Sequence, residues 1–141
     1  MINSTRVRSC ALLAFAATLA PIATAQAGTS SSKIRAKPHS VMVNTETTLK
    51  GKGFPANTTI TLEECGRTFW LAPEDPCLDE GAKTVTTDAK GKFQTGFPVG
   101  LCPEGEATKK PTQRVCYVGE LVTGEDTGTL VGPAKLIVTY P

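Results

Sequence analysis

Cysteine, histidine and tryptophan are the residue types in this 141-residue chain with the most chemistry to offer. Cys10 sits in an apolar N-terminal stretch, which leaves Cys65, Cys77, Cys102 and Cys116. Such thiols can ligate zinc, attack a substrate or pair. Zinc sites draw on CxxC pairs with nearby histidines; there is no CxxC here, and the single histidine, His39, is remote in sequence. No metal is expected. An even set of cysteines in a small exported domain reads as disulfides. Of the three possible pairings, Cys65–Cys77 with Cys102–Cys116 is expected, since each closes a local loop. Each loop closed this way contributes roughly 2–4 kcal/mol by restricting the unfolded chain. Paired cysteines leave no thiol nucleophile.

Other routes to catalysis are equally thin. Past the leader described below, the serines are Ser30, Ser31, Ser32 and Ser40, all before residue 41. A Ser-His-Asp site needs three groups held rigidly together, which a chain terminus does not provide. Glu63 and Glu64 are adjacent, so a regular strand turns them to opposite faces. Gly51-Lys52-Gly53 precedes a turn rather than a helix and makes no phosphate loop. The expectation is a protein that is not an enzyme and carries no cofactor.

Binding is a better prospect. Phe69 and Trp70, the only tryptophan, lie between Cys65 and Cys77. An aromatic pair on a tethered loop suits an apolar or aromatic ligand; the plainer reading is that it packs over the bridge. Tyr117 adjoins Cys116. Charge is uneven along the chain. Lys33, Arg35, Lys37, Lys50 and Lys52 face Glu46 alone within residues 33–52, whereas residues 63–80 hold Glu63, Glu64, Glu74, Asp75, Asp79 and Glu80 against Arg67. Solvated faces account for such runs; the functional alternative is an acidic lip that favours an amine-bearing ligand. The 15 Lys+Arg against 13 Asp+Glu include Arg6 and Arg8 of the leader, so the remainder balances. Balance argues against a polyanion binder held by bulk charge.

These residues need a scaffold. Residues 1–27 have the parts of a signal peptide: Arg6 and Arg8, the apolar run Cys10–Ala20, then Ala25-Gln26-Ala27. Secretion follows, with a small flexible tail at 28–33 and one domain at 34–141. Past the leader no stretch is apolar enough to span a bilayer, so no membrane association is expected after cleavage, and a monomer is expected. Short runs of Thr, Val, Ile and Phe between Gly and Pro, with no helical periodicity, read as all-β. Strands are expected near 34–37, 41–43, 46–51, 58–65, 83–87, 92–97, 114–121 and 134–140. Ile60 and Leu62 share one face of theirs. Asp88-Ala89-Lys90-Gly91 reads as a hairpin turn between Val85 and Phe93, and Pro133 and Pro141 bracket a last strand expected at an edge. About seven antiparallel strands at this spacing imply an immunoglobulin-like β-sandwich. Asn57-Thr58-Thr59 is a glycosylation sequon by pattern, read here as a turn entering a strand.

Three motifs, in order with the four cysteines, resemble the neocarzinostatin family. They are Gly51 to Cys65 (GKGFPANTTITLEEC), Val85 to Phe93 (VTTDAKGKF) and Cys116-Tyr117-Val118-Gly119. The resemblance covers about Val41 to Tyr140. It implies a small secreted bacterial β-sandwich with two local disulfides, of the kind that holds an apolar enediyne chromophore in a cleft at one end and delivers it to DNA. It places Glu63, Cys65, Phe69, Trp70 and Tyr117 at that cleft. Two departures qualify this. The segment between Cys77 and Cys102 is shorter than in the chromophore carriers and lacks their aromatic hairpin ribbon, and the Cys102–Cys116 loop is longer. The resulting expectation is a binding module for a small apolar or aromatic molecule, with an extracellular structural or protein-interaction module as the alternative. DNA binding rests on the family analogy alone.

Overall fold

The structure is a computed structural model and describes residues 32–141; the expected signal peptide and most of the expected tail lie outside them. Ten strands follow one another: β1 (Lys33–Lys37), β2 (Ser40–Met42), β3 (Thr45–Lys52), β4 (Thr59–Cys65), β5 (Phe69–Leu71), β6 (Lys83–Thr86), β7 (Phe93–Val99), β8 (Glu106–Ala107), β9 (Gln113–Thr123) and β10 (Thr127–Thr139). They form a three-stranded sheet, β1-β3-β7, and a seven-stranded sheet ordered β2-β10-β9-β4-β6, with β5 on β10 and β8 on β9. The all-β sandwich read from the sequence is therefore present. The strand expected near 41–43 is β2, which runs parallel to β10; the short strands β5 and β8 enlarge the expected set.

Alternation builds the core. Ile34, Leu49, Phe97 and Val99 of the small sheet meet Ile60, Leu62, Val118, Leu136 and Val138 of the large one in a single buried cluster. β-branched and aromatic side chains suit these half-buried strands because they pack well on a pleated surface. Cys116 joins the same cluster, so the Cys102–Cys116 bridge is part of the main core.

Two local expectations are corrected. The turn at Asp88-Ala89-Lys90-Gly91 is present, with the Gly91 N–H donating to the Asp88 carbonyl at 3.0 Å. Its flanking strands do not pair, however: β6 joins β4 while β7 joins β3, so the turn carries the chain from one sheet to the other. Buried Thr87 anchors this crossing by donating to the Pro55 carbonyl at 2.5 Å and accepting the Thr58 N–H at 3.0 Å. The last strand is not an edge. β10 lies between β9 and β2 and starts at Thr127. Pro133 is tolerated there because the register slips between Val131 and Ala134, with Gly132 at φ 61°; at a bulge no ladder N–H is required. Asn57, at φ 52°, is the turn residue that leads into β4.

Candidate functional site

The site is built on the outer face of the large sheet. Strand period 2 sends Ile60, Leu62 and Glu64 of β4 inward and Glu63 and Cys65 outward. The pairs Glu63↔Gly119 and Cys65↔Tyr117 carry that outer face across to β9. On β10 and β5 it continues through Leu130, Gly128 and Trp70. Cys65, Cys77, Trp70 and Leu130 form a second buried cluster there, with Tyr117 and Leu121 packed against it. The Cys65–Cys77 bridge (S–S 2.10 Å) folds its loop over the sheet and closes this small outer core. Both expected disulfides are thus present, the other being Cys102–Cys116 (S–S 2.07 Å).

Beside this cluster lies a cleft of about 340 Å³. Glu63, Trp70, Leu121 and Thr123 line it from the strands; Ala72, Pro73, Glu74, Asp75 and Asp79 line it from the disulfide loop and its exit. Three of these loop residues are acids. Burial, then the charges of Asp75 and Asp79, push the Glu63 carboxyl above its ordinary value. The cleft thus joins one aromatic and one aliphatic wall to a concentration of negative potential.

The site residues expected from the sequence separate in space. Glu63 and Trp70 line the cleft; Tyr117 is half-buried in the adjoining cluster and does not. Trp70 is 8 % exposed and packs on the bridge, the plainer of the two readings, yet is also part of the cavity lining. Gly128 makes that packing possible, since a β-carbon there would collide with the indole. Phe69, 53 % exposed, points to the opposite face of β5. There the register Phe69↔Thr129↔Val122 places it in line with exposed Val122, and exposed Leu71 follows two residues on. Residues 78–101 go into β6 and β7, whose Phe93 and Phe97 are in the main core, so no aromatic from this segment walls the cleft.

Sequence reasoning weighed Glu64 only as a partner for Glu63 and as part of an acidic run, and missed its burial. It is 2 % exposed; its Oε2 accepts the Gly100 N–H at 2.7 Å and its Oε1 has no hydrogen-bond partner. Burial raises its carboxyl to about 7 despite that hydrogen bond. The only available signal was its place at the end of the Ile60–Leu62 inward series. Glu63 and Glu64 face opposite sides without a bulge, so they do not form a carboxylate pair. Glu63 lies near Cys65 and Cys77, and Glu64 near Cys102 and Cys116, but all four sulfurs are in disulfides, and zinc binds thiolates. No helix among the described residues is long and apolar enough to cross a membrane.

A scan of protein-family models and a search of curated proteins find no match to the chain. Among solved structures, macromomycin, an enediyne chromoprotein apoprotein of the neocarzinostatin family, is similar to it at 18 % sequence identity. The match covers 78 % of this chain and 99 % of that one, with a TM-score of 0.48.

Proposed function

We propose that this protein is a secreted, monomeric, non-enzymatic β-sandwich module that binds a small aromatic molecule carrying an amine. The observation behind this reading is the cleft on the outer face of the large sheet, where Trp70 and Leu121 adjoin Glu63, Asp75 and Asp79. Its volume of about 340 Å³ is at the lower end of small-molecule sites, which run from roughly 300 to 1,000 Å³. An apolar wall gives affinity, and convergent carboxylates select for a cation. The open side left by the short segment after Cys77 favours a compact guest over an extended chromophore.

Titration of the intrinsic Trp70 fluorescence with 1-naphthylmethylamine and with its neutral alcohol analogue tests the reading. Quenching by the amine that weakens in Asp75→Asn and Asp79→Asn supports it. Equal response to amine and alcohol, or none to either, argues against it.

A second reading has its own observation. Phe69, Leu71 and Val122 are 53 %, 57 % and 48 % exposed and share the opposite face of β5-β10-β9. Clustered apolar exposure of this kind marks interaction surfaces, in keeping with a protein-interaction module.

A further inference from the structure

The outer face of the small sheet carries like charges in register. Lys33 of β1 stands opposite Lys52 of β3, and Arg35 stands opposite Lys50. Lys50 in turn faces Gln94 of β7. Lys92 precedes Phe93, the partner of Gly51, and so adds a fifth cation near the Lys52 end. Neighbouring strands lie about 4.8 Å apart and alternate residues about 7 Å apart along a strand. Like charges set directly opposite each other destabilise a sheet. A solvated polar face would relieve this by alternating sign. None of the five cations is in an ion pair among the described residues. Asp88 is the acid in the lining; its Oδ1 accepts the Lys90 and Lys92 N–H groups at 2.8 and 2.9 Å, and its single charge offsets only one of the five cations.

This face is concave where it meets the β6–β7 crossing, whose Thr86, Thr87 and Asp88 complete the lining. Lys33, Arg35, Lys50, Lys52 and Lys92 converge on a cleft of about 650 Å³ that includes Phe93. It is separate from the acidic cleft, with which it shares no residue. Its volume is that of a small-molecule site, and the described residues as a whole carry no net charge, which disfavours a polyanionic polymer held along a stripe. A phosphate monoester carries close to two negative charges at pH 7 and three acceptor oxygens. An arginine fork with lysines around it matches that head group.

We infer that the cleft between β1, β3 and β7 is a binding site for a small organic phosphate, held by Arg35, Lys50 and Lys52 with Lys33 and Lys92 at its rim. The site does not depend on the amine-binding reading.

The test is two-dimensional amide NMR of the protein titrated with phenyl phosphate, at ionic strength held constant with chloride. Saturable shifts at Arg35, Lys50, Lys52 and Lys92 at millimolar phenyl phosphate are expected. Affinity should fall at least tenfold in Arg35→Gln/Lys50→Gln and stay unchanged in Lys109→Gln/Lys110→Gln. These side chains are exposed, and removing like charges should leave the free double variant folded and no less heat-resistant than the parent. Absence of shifts, non-saturable shifts matched by chloride, or undiminished affinity in the double variant would overturn the site. So would salt-sensitive binding of duplex DNA at the same residues with no response to phenyl phosphate.

Discussion

Glu64 reaches from β4 to the far end of β7, where its Oε2 accepts the Gly100 N–H at 2.7 Å across 36 residues of sequence. Gly100 stands two residues before Cys102, so this buried carboxyl ties the two sheets together beside the Cys102–Cys116 bridge.

Stability should therefore depend on pH through Glu64. Its carboxyl is raised from 4.5 to about 7 in the folded state. Between those values the folded state binds more protons than the unfolded one, so stability falls as pH rises and levels off above about 7. The loss is at most about 3.5 kcal/mol, at about 1.4 kcal/mol per pH unit of separation. Denaturant melts from pH 4.5 to 8 should show this slope in the parent and a flatter one in Glu64→Gln.

Gly128 and Trp70 supply a packing test. A β-carbon at Gly128 would collide with the indole. Gly128→Ala should cost roughly 1–3 kcal/mol as overpacking does and should red-shift tryptophan emission as Trp70 is driven from its 8 % exposure. Unchanged emission and stability would show that the outer cluster is loosely packed.

The two disulfides should fail differently. Cys65–Cys77 closes the outer cluster, whereas Cys102 and Cys116 belong to the main core. Cys65→Ala/Cys77→Ala should lose roughly 2–4 kcal/mol and expose Trp70 while retaining the β-sheet circular dichroism. Cys102→Ala/Cys116→Ala should lower the main unfolding transition by a similar amount with Trp70 still covered.

Much of this frame was legible from residue types. Thr59-Ile60-Thr61-Leu62 alternates plainly, and local cysteine spacing anticipated both bridges. The crossing at Asp88–Gly91 was not legible, because the same tight turn serves a hairpin or a passage between sheets. Which one forms depends on β3 and β4, far away in sequence, taking β7 and β6 as partners. The position of β10 was misread because Pro133 signals an edge until the bulge that accommodates it is seen. At the site, Glu63 and Trp70 converge, but Phe69 faces away because adjacent residues on β5 alternate, and β5 itself looked like loop. Glu64 was hidden by its charge, which ordinarily marks a surface position.

The acidic cleft is tested most directly by the Trp70 indole N–H resonance during titration with 1-naphthylmethylamine. The account predicts a saturable shift there and at the amides of Glu63, Leu121 and Thr123, lost in Asp75→Asn/Asp79→Asn. Shifts confined to Phe69, Leu71 and Val122, or a silent indole at saturating amine, would contradict it.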